Sequence, residues 1–371
     1  MWDIAEPFAS FQADEAVEGE EGWLYLTRRH KGLAVNACAH ALFFCRLLQA
    51  LQTSLVGSRG LKVGIIGGGH LGKQLARVLL ALGRAPRPSI RISTRRPESL
   101  GKYLQEQGLA CLYDNAQLAA WADVLFLCCL PSHLAAVCST VRIAIRKPCV
   151  VYSLVTAVPL PRLKQLLCYN AIVRPQYQCP GQEPTKEWGM KGTVTAALQD
   201  LAVVQATCPL INGKWLVGIF YAALNSSMWQ SLPHQKALKL LNDLCFPAHC
   251  PICAEQKASC PRFCLFSLPR PFPWFDLTAA QLRESPFSQL LDKSEFLQKH
   301  LALLYQASFG DWPTKQRGLI TVMKPMAECF AEISSQRDKN TNIDNPRPSF
   351  PLPGLMQFYV VEEQTVRTLY C

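Results

Sequence analysis

The sequence predicts an α/β protein, a Rossmann-type doubly wound parallel sheet followed by a smaller all-helical domain. Three observations predict it. Residues 61–76, LKVGIIGGGHLGKQLA, run from a short apolar strand through closely spaced glycines into a helical repeat. Residues 61–175 go on alternating apolar strand segments with helical ones. After PQYQCPGQEPTKEWGM at 175–190, a polar break rich in proline and glycine, the pattern turns mainly helical.

Taken in order, residues 1–22 are acidic with little periodicity and read as disordered. Trp23 to Thr53 carries a helical pattern that Gly57-Ser58-Arg59-Gly60 breaks. Residues 1–59 are thus expected to be a disordered segment plus a helical extension packed on the next domain, 60–180. Within that domain Val63, Ile65 and Ile66 form the first strand, and Leu71, Leu75, Val78, Leu79 and Leu82 mark the first helix. Strands are expected at Ile90–Thr94, Leu109–Leu112, Val124–Cys129 and Cys149–Leu154. Helices are expected at Glu98–Gln107, Asn115–Trp121, Leu134–Arg146 and Leu160–Leu167. The helical domain, 181–310, offers Val194–Ala206, Lys214–Gln230, Leu238–Leu244 and Pro286–Ser308. Lys214–Gln230 reads as amphipathic, with Leu216, Phe220, Ala223, Leu224 and Ser227 on one face. Residues 311–371, with QRDKNTNIDNPRPSFPLPG, read as a flexible C-terminal tail.

The glycines follow the G-x-G-x-x-G spacing as Gly67, Gly69 and Gly72. Gly67 permits the sharp reversal, Gly69 lets the backbone approach a pyrophosphate, and Gly72 lets helix and strand pack closely. The helix start then offers unpaired amides and a positive dipole end to phosphates. About 20 residues on, where an NAD site carries an acid for the ribose, this chain has Ser93, Thr94, Arg95 and Arg96. Two hydroxyls and two guanidinium groups suit the 2′-phosphate of NADP(H), which is the cofactor expected. The bland alternative is a phosphate-free glycine turn with a solvated basic strand end.

Composition agrees with an anionic ligand. The chain has 371 residues, 49% hydrophobic and 18% charged, with a formal net charge of +11, which suits a globular protein with a basic binding surface. The basic residues are not interleaved with stacking aromatics, so nucleic acid is not expected as a partner. Leu33–Leu51 is interrupted by Asn36, His40, Arg46 and Gln49, and Trp215–Leu224 is half a span long, so no membrane segment is expected. The 17 cysteines come without a signal peptide and read as reduced thiols in a cytoplasmic protein. His249, Cys250, Cys253, Cys260 and Cys264 contain enough ligands for tetrahedral zinc. The gap between the thiol pairs is short for a zinc ribbon, so unpaired thiols are preferred and no metal is assigned.

The segments IIGGGHLGKQLA, STRRPE, DVLFLCCLPSHL and VVYSLVTAVPLPRL, in this order, resemble the pyrroline-5-carboxylate reductase family. The resemblance covers 60–175 well and the helical part only loosely. It implies hydride transfer from NADP(H) to a cyclic imine, as in proline biosynthesis, and a homodimer formed through the helical domain. It implies that Gly67, Gly69, His70, Leu71 and Gly72 line the phosphates, and that Ser93, Thr94, Arg95 and Arg96 hold the adenosine ribose and its phosphate. Leu130, Pro131 and Ser132 stand where the family has a Lys-Pro-Gln-like turn beside the nicotinamide. Ser153 to Val158 resembles a family loop, and Val173-Arg174-Pro175-Gln176 an R-x-M-P-N segment. The departures fall on the substrate side: Leu130 replaces the lysine, Gln176 follows Pro175, and KWLVGIFYAALNSSMW stands where the family has its active-site helix.

His133 is placed to polarise a carbonyl or donate a proton, since imidazole titrates near neutrality; a capping or surface histidine is the alternative. Ser132 and Ser153 complete the catalytic candidates, with helix capping as the competing role for Ser132. The function expected is NADP-dependent reduction of a C=N bond. The alternatives are a catalytically degenerate NADP-binding protein acting as sensor or partner, and an interaction module.

Overall fold

The computed structural model describes residues 16–56, 60–82, 89–100, 109–175, 192–208, 213–229, 263–264, 274–284, 286–309, 357–362 and 365–370, with isolated positions at 239 and 242. Six strands form a parallel sheet: β1 (Val63–Ile66), β2 (Ile90–Ser93), β3 (Ala110–Leu112), β4 (Val124–Leu127), β5 (Val150–Ser153) and β6 (Ile172–Val173). Their order is β3-β2-β1-β4-β5-β6, the doubly wound Rossmann arrangement, whose strand order reverses beside β1.

These residues form strands because every position of β1, β4 and β5 is buried, as a sheet covered on both faces requires. Alternate side chains feed two cores. Ile65, Phe126 and Tyr152 enter the larger one. Ile66, Leu127 and Val151 enter the second, under α3 (Asn115–Trp121), α4 (Leu134–Val141) and α5 (Leu160–Leu167).

The larger core is closed by α1 (Ala16–Val56), α2 (His70–Leu82) and α8 (Gly213–Trp229), with the short α6 (Val194–Ala197) and α7 (Leu201–Ala206) beside them. Phe44 of α1 packs 5.3 Å from Tyr152, which packs 5.1 Å from Phe126. Inside this core Trp215 Nε1 donates to the Tyr152 hydroxyl at 3.1 Å, and His40 Nε2 meets the Thr207 carbonyl at 2.8 Å. Burial pushes the His40 imidazole down to about 4, so the ring sits neutral among aromatics. The stretch Arg29–Gln49 is long and apolar enough to cross a membrane, contrary to the sequence expectation, yet 78% of its apolar window is buried in this core.

β6 lies at the sheet edge, and α9 (Leu277–Leu282) covers it. Gln281 acts there as a substitute strand: its Nε2 donates to the Ile172 carbonyl at 2.7 Å, and its Oε1 accepts from the Arg174 amide at 3.0 Å. Gly218 of α8 makes room, since a Cβ on it would lie 2.8 Å from Gln281 Cγ. Lys164 of α5 bridges Asp276, the residue that caps α9, at 2.6 Å.

Several expectations are corrected. The first helix starts at Ala16, inside the stretch read as disordered. Leu134–Arg146 stops at Val141. Val194–Ala206 is two helices, because the Asp200 carboxylate accepts from the Ala202 amide and starts a new one. Pro286–Ser308 divides likewise into α10 (Pro286–Lys293) and α11 (Glu295–Ala307), with Ser294 capping the second. Helix α8 is not amphipathic, for residues on all its sides are buried. The supposed tail contains a hairpin, β8 (Gln357–Glu362) and β9 (Thr365–Tyr370), paired antiparallel with β7 (Phe263–Cys264). Of the segment 98–107 only a 3₁₀ turn over Pro97–Leu100 is described. Leu238–Leu244, apart from positions 239 and 242, and His249, Cys250, Cys253 and Cys260 lie outside the described residues. Among the described residues no cluster of metal-ligating side chains occurs.

Candidate cofactor crevice

Register fixes the site. Leu112, Ser93, Ile66, Leu127 and Ser153 form one row across the sheet. The chain leaves each of these strands at its carboxyl end, where ligands bind at the reversal of strand order. Gly67 follows β1 with φ +110°, a left-handed conformation that penalises a side chain. Its amide donates to the Ser93 carbonyl at 2.9 Å, and a Cβ there would lie 2.8 Å from the Cys128 carbonyl. On Gly72 a Cβ would lie 1.9 Å from the Gly67 carbonyl oxygen, so the turn closes only with glycine at that position. Around Gly69, by contrast, a Cβ would meet nothing within 4 Å. The turn is therefore tight beneath and open above, the shape a pyrophosphate needs for close approach to the backbone.

The surroundings of the turn are cationic. His70 is the exposed first residue of α2, and that helix has no acid in its first turn. Partial burial lowers the His70 pKa, helped by His30, Lys73 and Arg77. Leu71 is half-buried against the larger core. Thr94 lies beneath Gly68, and its hydroxyl accepts from the Arg96 amide at 3.3 Å. Arg95 and Arg96 are exposed on the loop after β2.

The structure also joins residues that the sequence kept apart. Arg95 Nη2 lies 3.4 Å from both ring nitrogens of His133. Equal distances put the guanidinium against the ring rather than on one nitrogen's lone pair. Since Arg95 follows β2 and His133 follows β4, their contact spans the glycine turn between them. Leu130, Pro131 and Ser132 are exposed in the 3₁₀ turn that leads into α4, Leu130 at 63%. Ser132 caps nothing, because the cap position of α4 falls on His133 and that of the 3₁₀ turn on Leu130.

Two nominated serines turn away from the crevice. Ser93 is buried, and its hydroxyl donates to Asn115 Oδ1 at 2.7 Å. Ser153 is fully buried, and its Oγ accepts from the Val155 amide at 3.3 Å. Both share the row of Ile66 and Leu127, whose side chains fill the second core. What the sequence missed is His30 of α1, whose ring centroid is 5.4 Å from that of His70. No local pattern links an exposed histidine on one helix to a glycine turn some forty residues later.

Residues 62–155 match the family model described as NADP oxidoreductase coenzyme F420-dependent, which makes this segment an oxidoreductase domain of the NAD(P)-dependent type. Pyrroline-5-carboxylate reductase of Corynebacterium melassecola is 38% identical over 80 residues, 21% of this chain and 29% of that protein. Among solved structures, pyrroline-5-carboxylate reductase from Coxiella burnetii is a distant likeness: TM-score 0.30 and 15% identity, over 76% of this chain and 98% of that one. NADP-dependent oxidoreductase domain-containing protein 1 of Mus musculus is 42% identical over 349 residues, covering 84% of this chain and 95% of that protein. The chain belongs to the family of that mouse protein, the NADP-dependent oxidoreductase domain-containing protein 1 family.

Proposed function

We propose that this protein is an NADP(H)-dependent oxidoreductase acting on a C=N bond of a small imine, in the manner of pyrroline-5-carboxylate reductases. The observation that carries the reading is the pairing of an open glycine turn with two exposed arginines, where an NAD-specific site would hold an acid. When bound, the dinucleotide supplies the hydride. The backbone amides at Gly69, His70 and Leu71 hold the pyrophosphate at the positive end of α2. Arg95 and Arg96 hold the 2′-phosphate, a task suited to planar, permanently charged guanidinium groups. Leu130 and Pro131 give the nicotinamide end an apolar wall that limits water. His133 can hold or release a proton near the substrate nitrogen once Arg95 turns to the phosphate.

The substrate side supports a second reading, a catalytically degenerate NADP-binding protein. Ser153 is sealed in the core, Ser132 carries no partner among the described residues, and Leu130 replaces the family lysine. The cytoplasmic placement and a small-molecule substrate belong to the proposal, and so does a homodimer through the helical part. Such a dimer uses a face other than α8, which is enclosed within the chain.

Calorimetric titration tests the cofactor assignment. Replacing Arg95 and Arg96 together by alanine is expected to weaken NADPH about 10- to 100-fold and NADH less than about 3-fold, in line with loss of charge-assisted phosphate contacts. Equal losses would remove the 2′-phosphate role. Oxidation of NADPH by pyrroline-5-carboxylate then separates the enzyme from the degenerate binder.

A further inference from the structure

Helix α1 precedes the sheet, yet it reaches the cofactor turn. From Gly32 onward it sinks into the larger core, while Arg29 and His30 are exposed. His30 therefore stands where the helix leaves the core, and α1 packs along α2. The His30 and His70 rings meet at 5.4 Å with 46° between their planes. His70 is flanked on α2 by Lys73 and Arg77, whose charges it senses. Arg29 and Lys31 neighbour His30 on α1. Next to His70 in the chain is Gly69, the open side of the turn. Like charges gathered at the positive end of a helix repel one another, and a bound anion relieves the repulsion.

We propose that His30 is a ligand for the dinucleotide pyrophosphate, supplied by a helix outside the nucleotide-binding fold, so that the phosphates lie between the α2 amides and a His30–His70 pair. This rests on the cofactor reading above and adds to it a contact from the N-terminal helix. The imidazole pair recognises the pyrophosphate common to NADPH and NADH. Arg95 and Arg96 serve the 2′-phosphate that only NADPH carries. An imidazole N–H donates to a pyrophosphate oxygen of either dinucleotide, so the contribution of His30 is the same for both. Lys73 and Arg77 on α2, and Arg29 and Lys31 on α1, add positive charge around the pair.

The test uses the full chain with His30→Ala, titrated with NADPH and with NADH under the same conditions. The variant is expected to bind both dinucleotides about 3- to 10-fold more weakly than wild type, by the same factor for each. Because His30 is exposed, the thermal midpoint without cofactor should match that of wild type, separating loss of a ligand from loss of fold. Unchanged affinity overturns the proposal, and so does a loss confined to NADPH. In either case binding by wild type leaves the cofactor reading standing. Wild-type protein that binds neither dinucleotide overturns both.

Discussion

The two sides of the crevice are furnished differently. On the β1–β2 side the backbone turns tightly, Gly69 leaves an opening, and the exposed Arg95, Arg96, His70 and His30 surround it. On the β4–β5 side Ser153 is sealed in the second core and the exposed residues are Leu130, Pro131 and Ser132. His133 is there too, but leans on Arg95. The first side can grip an anion before any substrate arrives. The second offers His133 and an apolar rim, so positioning and water exclusion outweigh acid–base work on that side.

The contrast can be broken most severely at the turn. Gly72→Ala forces a Cβ into the Gly67 carbonyl oxygen and is expected to destabilise the fold by about 3 kcal/mol or more, with loss of NADPH binding. Gly69→Ala has free space and should alter stability by less than about 1 kcal/mol, while Gly69→Glu should keep the fold and abolish binding by placing a carboxylate in the phosphate path. Urea unfolding and NADPH titration of the three variants check this ranking. Equal damage from Gly69→Ala and Gly72→Ala would mean that the turn does not have this shape.

A smaller effect is expected from α8, behind the far end of the sheet. Gly218→Ala pushes a methyl group against Gln281, which is held by Ile172, Leu277 and Arg174. The expected cost is about 1–3 kcal/mol from overpacking, read by urea unfolding, with NADPH affinity within 2-fold or so of wild type. Smaller again is Ser153→Ala, which leaves the buried Val155 amide without its acceptor at a cost of about 1–2 kcal/mol. If Ser153 serves the fold alone, turnover with saturating substrate stays within about 2-fold of wild type. A hundredfold loss of kcat with unchanged stability would return it to the catalytic set.

The legible parts are those written locally. The strand β1, the glycine spacing and the start of α2 follow from adjacent residues, and β4 from an unbroken apolar run. The limits of α5 are legible too, because Pro159 precedes it and Leu160, Leu163 and Leu167 repeat at helical spacing. Side-chain caps were harder to read. Asp200 and Ser294 each restart a helix through one hydrogen bond to a backbone amide, within an apolar periodicity that continues across the break. The burial of Ser153 depends on its parity in β5, so one residue of strand boundary decides between crevice and core. Arg95 with His133, and His30 with His70, are tertiary contacts with no local signature. Helix α8 reads as one-sided only until α1 and its other neighbours close around it.

That enclosure by α1 has a consequence for any shortened form of the protein. A polypeptide starting at Gly60 would keep every glycine of the turn and both arginines. It would also bare the sheet around Phe126 and Tyr152 and one flank of α8, where Phe43, Phe44, Leu47 and Leu48 now lie. So much exposed apolar surface favours aggregation over a smaller soluble domain. The recognisable nucleotide-binding region is thus not a unit that can be cut free at its own first strand.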